Sequence, residues 1–405
     1  MVLLRLSNTL NALARWRYIS LAIFAAAVLT RTLGFILGGT RGDEDGAYLL
    51  MAQHYMDGRG IGTMGDFGWS PSWLPAGMPM LQIAALTLFG EILVSLRIFF
   101  ITMSAIAIVC FFKLAKKLFQ PGDALLATIL LLLYPSLWLW SSRINPHTYA
   151  LAGVIISIYL LFLAWERRSV LLPFLIGIFW ATITLMRAEF ALGIGVLVAT
   201  SVLHYRWKKE GFICGLLLLA GFAAAMTPWV IRNYRLHGHF VLVSTNYGDN
   251  IWKSYNPAYQ FKGEDIPFPP EIRERLLAEP NEVLRAKILT AEAKEFMREH
   301  PERVLRNVAG NFLNFWRPWV VGNASPLERI VYSAAYAPIF LLFLWGLFLL
   351  PWKNPYWLTI VGLLFYKNAI NLPFYVIVLF REVVMPLIIL IAVLPLARNR
   401  IMENQ

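Results

Sequence analysis

Long apolar runs alternate with short polar turns along this chain, and the length of the runs sets the prediction. Runs of spanning length occupy 17–38, 92–112, 124–141, 147–165, 170–186, 188–204, 212–231, 327–350, 355–370 and 374–397. About 20 residues cross a bilayer core, and somewhat fewer serve where protein covers the helix. The pattern predicts about ten transmembrane helices. The run 76–89 is apolar but short, and reads as a helix at the membrane interface. Two polar stretches break the rhythm. In 39–91, glycines at 42, 46, 58, 60, 62, 65 and 68 precede Pro71, Pro75 and Pro79, with one interfacial helix expected over Ala47–Met56. In 235–325, the part 244–270 reads as irregular, Glu282–His300 as an amphipathic helix, and Pro301 as the first residue of another.

Composition agrees: 58% of residues are hydrophobic and 15% charged, which excludes an ordinary soluble domain. The net charge of +12 belongs to membrane-flanking turns rather than to nucleic-acid binding. Cys110 and Cys214 lie in apolar runs and offer no disulfide or metal framework. The first run has no convincing cleavage site and reads as a true span.

Basic residues fix the expected orientation. Arg5, Arg15, Arg17, Lys113, Lys116, Lys117, Arg167, Arg168, Arg206, Lys208, Lys209, Lys353, Arg398 and Arg400 fall in turns on one side, where the acids are only Asp123, Glu166, Glu210 and Glu403. By the positive-inside rule that side is cytoplasmic, with both termini. The stretch 235–325 holds 12 basic and 11 acidic residues and belongs outside with 39–91. The expected organisation is an N-terminal transmembrane module, 1–234, an outer loop domain, 235–325, and C-terminal transmembrane helices, 326–405.

The candidate chemistry lies on the outer side. Asp43, Glu44 and Asp45 end the first span; adjacent carboxylates at a membrane edge repel one another and are costly without a use. Around them fall Arg143, His147, Arg187, Glu189, Arg232, Asn233, Arg235, Arg317, Lys367, Asn368, Asn371 and Arg381. Arg143 and Arg235 suit snorkelling at the interface, and Arg187 with Glu189 suits a structural ion pair. A set of bases opposite an acidic loop also suits a phosphate held beside a proton acceptor.

Several segments, in order, resemble the GT-C superfamily of polytopic glycosyltransferases, nearest to the branch of protein O-mannosyltransferases and the lipid A aminoarabinose transferase. They are Asp43-Glu44-Asp45-Gly46-Ala47-Tyr48 with Leu74-Pro75-Ala76-Gly77-Met78-Pro79, Tyr134-Pro135-Ser136, Leu185-Met186-Arg187-Ala188-Glu189, Pro228-Trp229-Val230-Ile231-Arg232-Asn233-Tyr234, and Phe315-Trp316-Arg317-Pro318. Two departures stand out: Ala188 replaces a usual Pro, and Asn145-Pro146-His147 stands where many relatives place a Glu.

The resemblance implies an all-α membrane fold and a polyprenyl-phosphate-linked sugar as donor. It implies inverting transfer to a hydroxyl of a cell-envelope glycan, lipid or protein, on the outer face of the bacterial inner membrane. Asp43 would be the base, with Asp45 the alternative and Glu44 their neighbour. Arg187, Arg232, Arg381 and Lys367 would hold the leaving phosphate. Tyr48, His147, Asn233 and Glu189 would stand beside them or meet the acceptor. Asp43 and Asp45 also suit a divalent metal, Mg or Mn, through hard oxygens. Rival readings are a flippase for lipid-linked glycans and a surface-polysaccharide polymerase or ligase.

Overall fold

The computed structural model describes residues 9–38, 46–90, 92–140, 143–258, 267–319, 326–374, 376 and 379–397. Asp43, Glu44 and Asp45 lie outside the described residues. The chain opens with α1 (Ile19–Gly38) and α2 (Gly46–Met56), then the hairpin β1 (Thr63–Gly65) and β2 (Gly68–Ser70). There follow α3 (Gly77–Phe89), α4 (Leu93–Ala115), α5 (Pro121–Leu133), α6 (Pro135–Trp140), α7 (Pro146–Arg167) and α8 (Leu171–Met186). A 3₁₀ turn, Ala188–Gly193, leads into α9 (Ile194–His204) and α10 (Lys209–His237). Among the described residues the second polar stretch holds four helices: α11 (Tyr247–Ser254), α12 (Pro270–Ala278), α13 (Glu282–Glu299) and α14 (Pro301–Trp316). The chain returns through α15 (Pro326–Phe348), α16 (Pro355–Asn371), α17 (Leu379–Glu382) and α18 (Met385–Val393).

This is an all-α, multi-pass membrane protein. Each of the ten apolar runs is helical over at least part of its length. Among the described residues, α1, α4, α7, α10 and α15 are individually long and apolar enough to cross a membrane. The other runs are shorter or broken. The run 124–141 divides because Pro135 forces Tyr134 into extended backbone (φ −67°, ψ 111°). Within 374–397 the described residues form two pieces, α17 and α18, with Pro386 in the first turn of the second. Such pieces survive at membrane depth because protein surrounds them: α18 is buried along its whole length.

The region 244–270, expected to be irregular, contains α11. Its Gly248 lies against the backbone of Ala286, so that α11 and α13 cross closely. The hairpin was also not evident from the pattern. Its strands are three residues each and antiparallel, Thr63 opposite Ser70 and Gly65 opposite Gly68, and Gly68 takes the positive φ (87°) that closes the turn.

The two ends of the bundle differ. At one end the basic turns meet: Lys117 pairs with Glu166, the Gly122 amide donates to Asn11 Oδ1 (2.8 Å), and Trp165 stacks on His204 (4.4 Å between ring centres) and edges Tyr356. At the other end the two polar stretches interlock. The Thr245 amide donates to Ser72 O (2.9 Å), the Ser72 amide to Glu282 Oε1 (2.8 Å), and Arg285 to Phe67 O (2.8 Å).

Between the ends, α8 and α10 pack through glycine. Gly177 lies against Leu218 O and Gly221 against Phe174 O, and neither site has room for a Cβ. Small residues let helix backbones approach where lipid supplies no hydrophobic drive. This contact brings the C-terminal end of α8, and so Arg187, beside the loop that follows α10.

Candidate active site

A cavity at the polar end has a volume of about 580 Å³. Tyr48 of α2, Leu74 and Pro75, Arg187 and Glu189, the loop 240–244 with Asn246 and Tyr247, and Asn371 and Phe380 line it. It is of the size that ordinary ligand sites have, about 300–1,000 Å³.

Local sequence explains how its charged wall is held. Asn145 caps α7, its Oδ1 accepting from the Thr148 amide (3.0 Å), and Pro146 occupies the first helical position. His147 is thereby fixed in the first turn. Arg187 ends α8 in extended backbone (φ −145°, ψ 105°), and Glu189 follows in the 3₁₀ turn. That turn is locked from behind: Trp180 Nε1 donates to Phe190 O (2.9 Å) and the Tyr366 hydroxyl donates to Glu189 O.

The side chains then converge. Arg187 donates through Nε (2.9 Å) and pairs through a terminal nitrogen (2.8 Å) with Glu189 Oε1. Lys367, with no exposed surface, donates to the same oxygen at 2.8 Å. The remaining terminal nitrogen of Arg187 lies 3.0 Å from His147 Nε2. A guanidinium only donates, so Nε2 is the acceptor and His147 is neutral, its proton on Nδ1. Two cations and one carboxylate leave the cluster with a charge of plus one. Phe380 lies at its centre: His147 stacks on it (5.7 Å), and Arg187 and Lys367 sit 5.3 and 5.1 Å from the ring centre. Arg187 and Glu189 face the cavity, while Lys367 stands behind Glu189.

Two other sequence candidates occupy different surroundings. Arg232 fastens the first polar stretch: its guanidinium donates to Ile61 O (2.7 Å), Pro71 O (3.0 Å), Ser72 Oγ (2.9 Å) and Asn233 Oδ1 (2.9 Å), and lies over Trp229. Asn233, fully buried, accepts from Ser72 Oγ (2.8 Å) and donates to Val241 O (3.2 Å). Arg381 is fully buried, donating to Phe315 O and Arg317 O (both 2.8 Å), and to Tyr332, beside Glu382 (4.0 Å). Neither guanidinium joins the Arg187–Lys367 cluster.

The sequence reading did not single out Phe380, Asn246, Tyr247 or Asn250 as site residues, yet they line the cavity. Phe380 adjoins Arg381, and the charge drew attention from the ring. Asp43 and Asp45, the candidate metal ligands, lie outside the described residues, and among the described residues no cluster of three or more His, Cys, Asp or Glu is placed to hold a metal. Tyr48, at the start of α2, carries the chain into the cavity three residues after Asp45.

Residues 75–231 match the model of the family described as Dolichyl-phosphate-mannose-protein mannosyltransferase. The fold is that of solved enzymes with little sequence in common. The Archaeoglobus fulgidus oligosaccharyltransferase tethered with an acceptor peptide superposes with a TM-score of 0.58 at 13% identity, over 94% of this chain and 50% of its own. The chain shares the fold of this archaeal enzyme. The apo form of the same archaeal enzyme matches this chain at a TM-score of 0.55, again at 13% identity and over 94% and 50% of the two chains. The chain thus spans about half the length of the solved structures it matches. No curated protein gives a significant sequence match.

Proposed function

We propose that this chain is an inverting glycosyltransferase that moves a sugar from a polyprenyl-phosphate donor to a hydroxyl of a cell-envelope acceptor, on the outer face of the membrane. One observation carries the reading: Arg187, backed by Glu189 and Lys367, faces a large cavity at the polar end of the bundle, beside Tyr48. The acidic segment 43–45 immediately precedes the helix that bears Tyr48. The family matched over residues 75–231 is named for a dolichyl-phosphate-mannose donor, which supports a lipid-phosphate sugar.

In this mechanism Arg187 binds the phosphate of the donor and neutralises it as it departs. Lys367 and Glu189 hold the guanidinium at the cavity wall. A carboxylate of the first polar stretch, Asp43 or Asp45, takes the proton of the acceptor hydroxyl as its oxygen attacks the anomeric carbon. Attack opposite the leaving phosphate inverts the configuration. Arg232 and Asn233 keep the first polar stretch in place. A divalent ion, if this enzyme uses one, would be held by Asp43 and Asp45 and would stabilise negative charge on the phosphate.

The test is transfer of a labelled sugar from polyprenyl phosphate in proteoliposomes. Asp43→Asn and Asp45→Asn are assayed beside wild type and Arg187→Ala. Loss of transfer in one Asp variant and in Arg187→Ala is expected. Full transfer by both Asp variants would remove the base from the mechanism. Movement of the lipid across the bilayer without transfer would identify a flippase instead.

A further inference from the structure

A second cavity, of about 320 Å³, lies against the other side of the segment that bounds the first. Adjacent residues of the shared segments face the two spaces. Trp73, Thr245 and Asp249 line the second, while Leu74, Asn246 and Asn250 line the first. The partition is one layer of chain thick, and the Thr245 amide bond to Ser72 O holds it together.

Two buried polar atoms in this wall have no partner among the described residues. Thr245, 2% exposed, has an unpaired Oγ1, and Glu282, 5% exposed, an unpaired Oε2. Unpaired buried polar atoms cost free energy and are rare in native proteins, so a ligand that pairs with them gains correspondingly. The other Glu282 oxygen is already engaged, with the Ser72 amide at 2.8 Å and His237 Nε2 at 3.0 Å. Asp249 lines the same space and accepts from Trp73 Nε1 through one oxygen (2.6 Å).

The chemistry of the lining selects among ligands. Asp66, Asp249 and Glu282 face Lys253 and Arg285, so an anion meets a net negative wall. Arg285 is also committed to Phe67 O (2.8 Å) and Ser70 Oγ (2.9 Å). What the cavity offers is carboxylate oxygens that accept, a hydroxyl that donates or accepts, and apolar ring faces. Phe67 and Phe268 lie 5.8 Å apart at 59° to each other. That combination fits a neutral polyol with one apolar face.

We propose that this second cavity is a carbohydrate subsite that anchors a neutral sugar ring of the acceptor, one chain layer from the transfer cavity. The proposal rests on the glycosyltransferase reading for its role, and makes the acceptor a glycan. The ring's hydroxyls donate to Glu282 Oε2 and Asp249, Thr245 Oγ1 pairs with another, and the C–H face of the ring packs on Phe67 and Phe268.

The full-length protein in nanodiscs is titrated with the methyl glycosides of glucose, mannose, galactose and N-acetylglucosamine, followed by saturation-transfer NMR. At least one is expected to bind saturably. Thr245→Val, which removes a hydroxyl that bonds none of the described residues, should weaken binding by about tenfold or more while the unfolding temperature stays at or above that of wild type. Phe268→Ala should weaken it as well. Absence of binding by any glycoside, or binding indifferent to both variants, overturns the subsite. So does competitive displacement by inorganic phosphate, which would mark an anion site. A serine- and threonine-containing peptide that binds in place of sugars, with the same sensitivity to Thr245→Val, overturns the glycan assignment. The transfer assay separates the two readings. Transfer without Thr245-sensitive sugar binding removes the subsite and leaves the enzyme; such binding without transfer does the reverse.

Discussion

Lys367→Met separates electrostatic support of a phosphate from mere support of the fold. Lys367 Nζ is 2.8 Å from Glu189 Oε1, and an Arg187 terminal nitrogen is 2.8 Å from the same oxygen. A phosphate oxygen accepting from that nitrogen at about 2.9 Å lies no more than about 8.5 Å from Nζ. At an effective dielectric of about 20, a unit charge at that distance is worth about 2 kcal/mol. That is a factor of about 30 in donor affinity. Folding should respond differently. Removing one partner of a buried ion pair usually destabilises by leaving the other charge unpaired, but here Glu189 keeps Arg187 as its partner, which limits the loss. The expected outcome is a folded variant with at most a modestly lowered unfolding temperature, together with polyprenyl-phosphate affinity lowered about 30-fold. Thermal unfolding and lipid-phosphate titration on the same nanodisc preparation measure both. A well-folded variant whose affinity stays within about threefold of wild type would refute the electrostatic argument. A large drop in unfolding temperature with unchanged affinity would make Lys367 a structural residue only.

Three further perturbations test other parts of the structure. Gly177→Val places a side chain against Leu218 O, where α8 and α10 touch; a loss of at least about 1–3 kcal/mol is expected, read as a lower unfolding temperature in detergent. Arg232→Lys leaves a point charge where a planar fork serves Ile61 O, Pro71 O and Ser72 Oγ; the segment 57–75 should become more sensitive to limited proteolysis, and wild-type resistance would refute the clamp. Burial raises the Asp249 carboxyl above its ordinary value, the Trp73 bond opposing it. The stability contributed by a raised carboxyl is complete below its unfolded pKa and is lost as pH rises through the folded one. Asp249→Asn should therefore gain unfolding temperature relative to wild type at neutral pH, and the gain should disappear on acidification below about pH 4. A difference independent of pH would refute the assignment.

Much of the architecture was legible because apolar length and helix-start chemistry are local. Pro121, Pro146, Pro301, Pro326 and Pro355 each open a helix, as a residue with fixed φ and no amide donor should. The break at Pro135 was hidden because the apolar run continues through it, and hydropathy carries no record of the extended Tyr134. Helix α11 was hidden for the opposite reason: its eight residues are too polar and too few to show a period, and packing on α13 makes it a helix. In the site, the Arg187–Glu189 pair is visible two residues apart in sequence. The link from Glu189 to Lys367 spans 178 positions, and no local pattern carries it. Nor does a sequence say whether an arginine at a helix end meets an anion or backbone carbonyls. Arg232 and Arg187 look alike in the chain, and only the folded loop provides the carbonyls of Ile61 and Pro71.

The thin partition between the two cavities has a thermodynamic consequence. Ser72 bonds to Thr245 in the loop after α10, to Glu282 on α13 and to Asn233 on α10. A molecule that shifts this residue from one side alters the shape of the space on the other. Linkage then requires the two occupants to change each other's affinity by the same factor. The order in which they arrive affects rates, while the doubly occupied complex has one free energy whichever enters first.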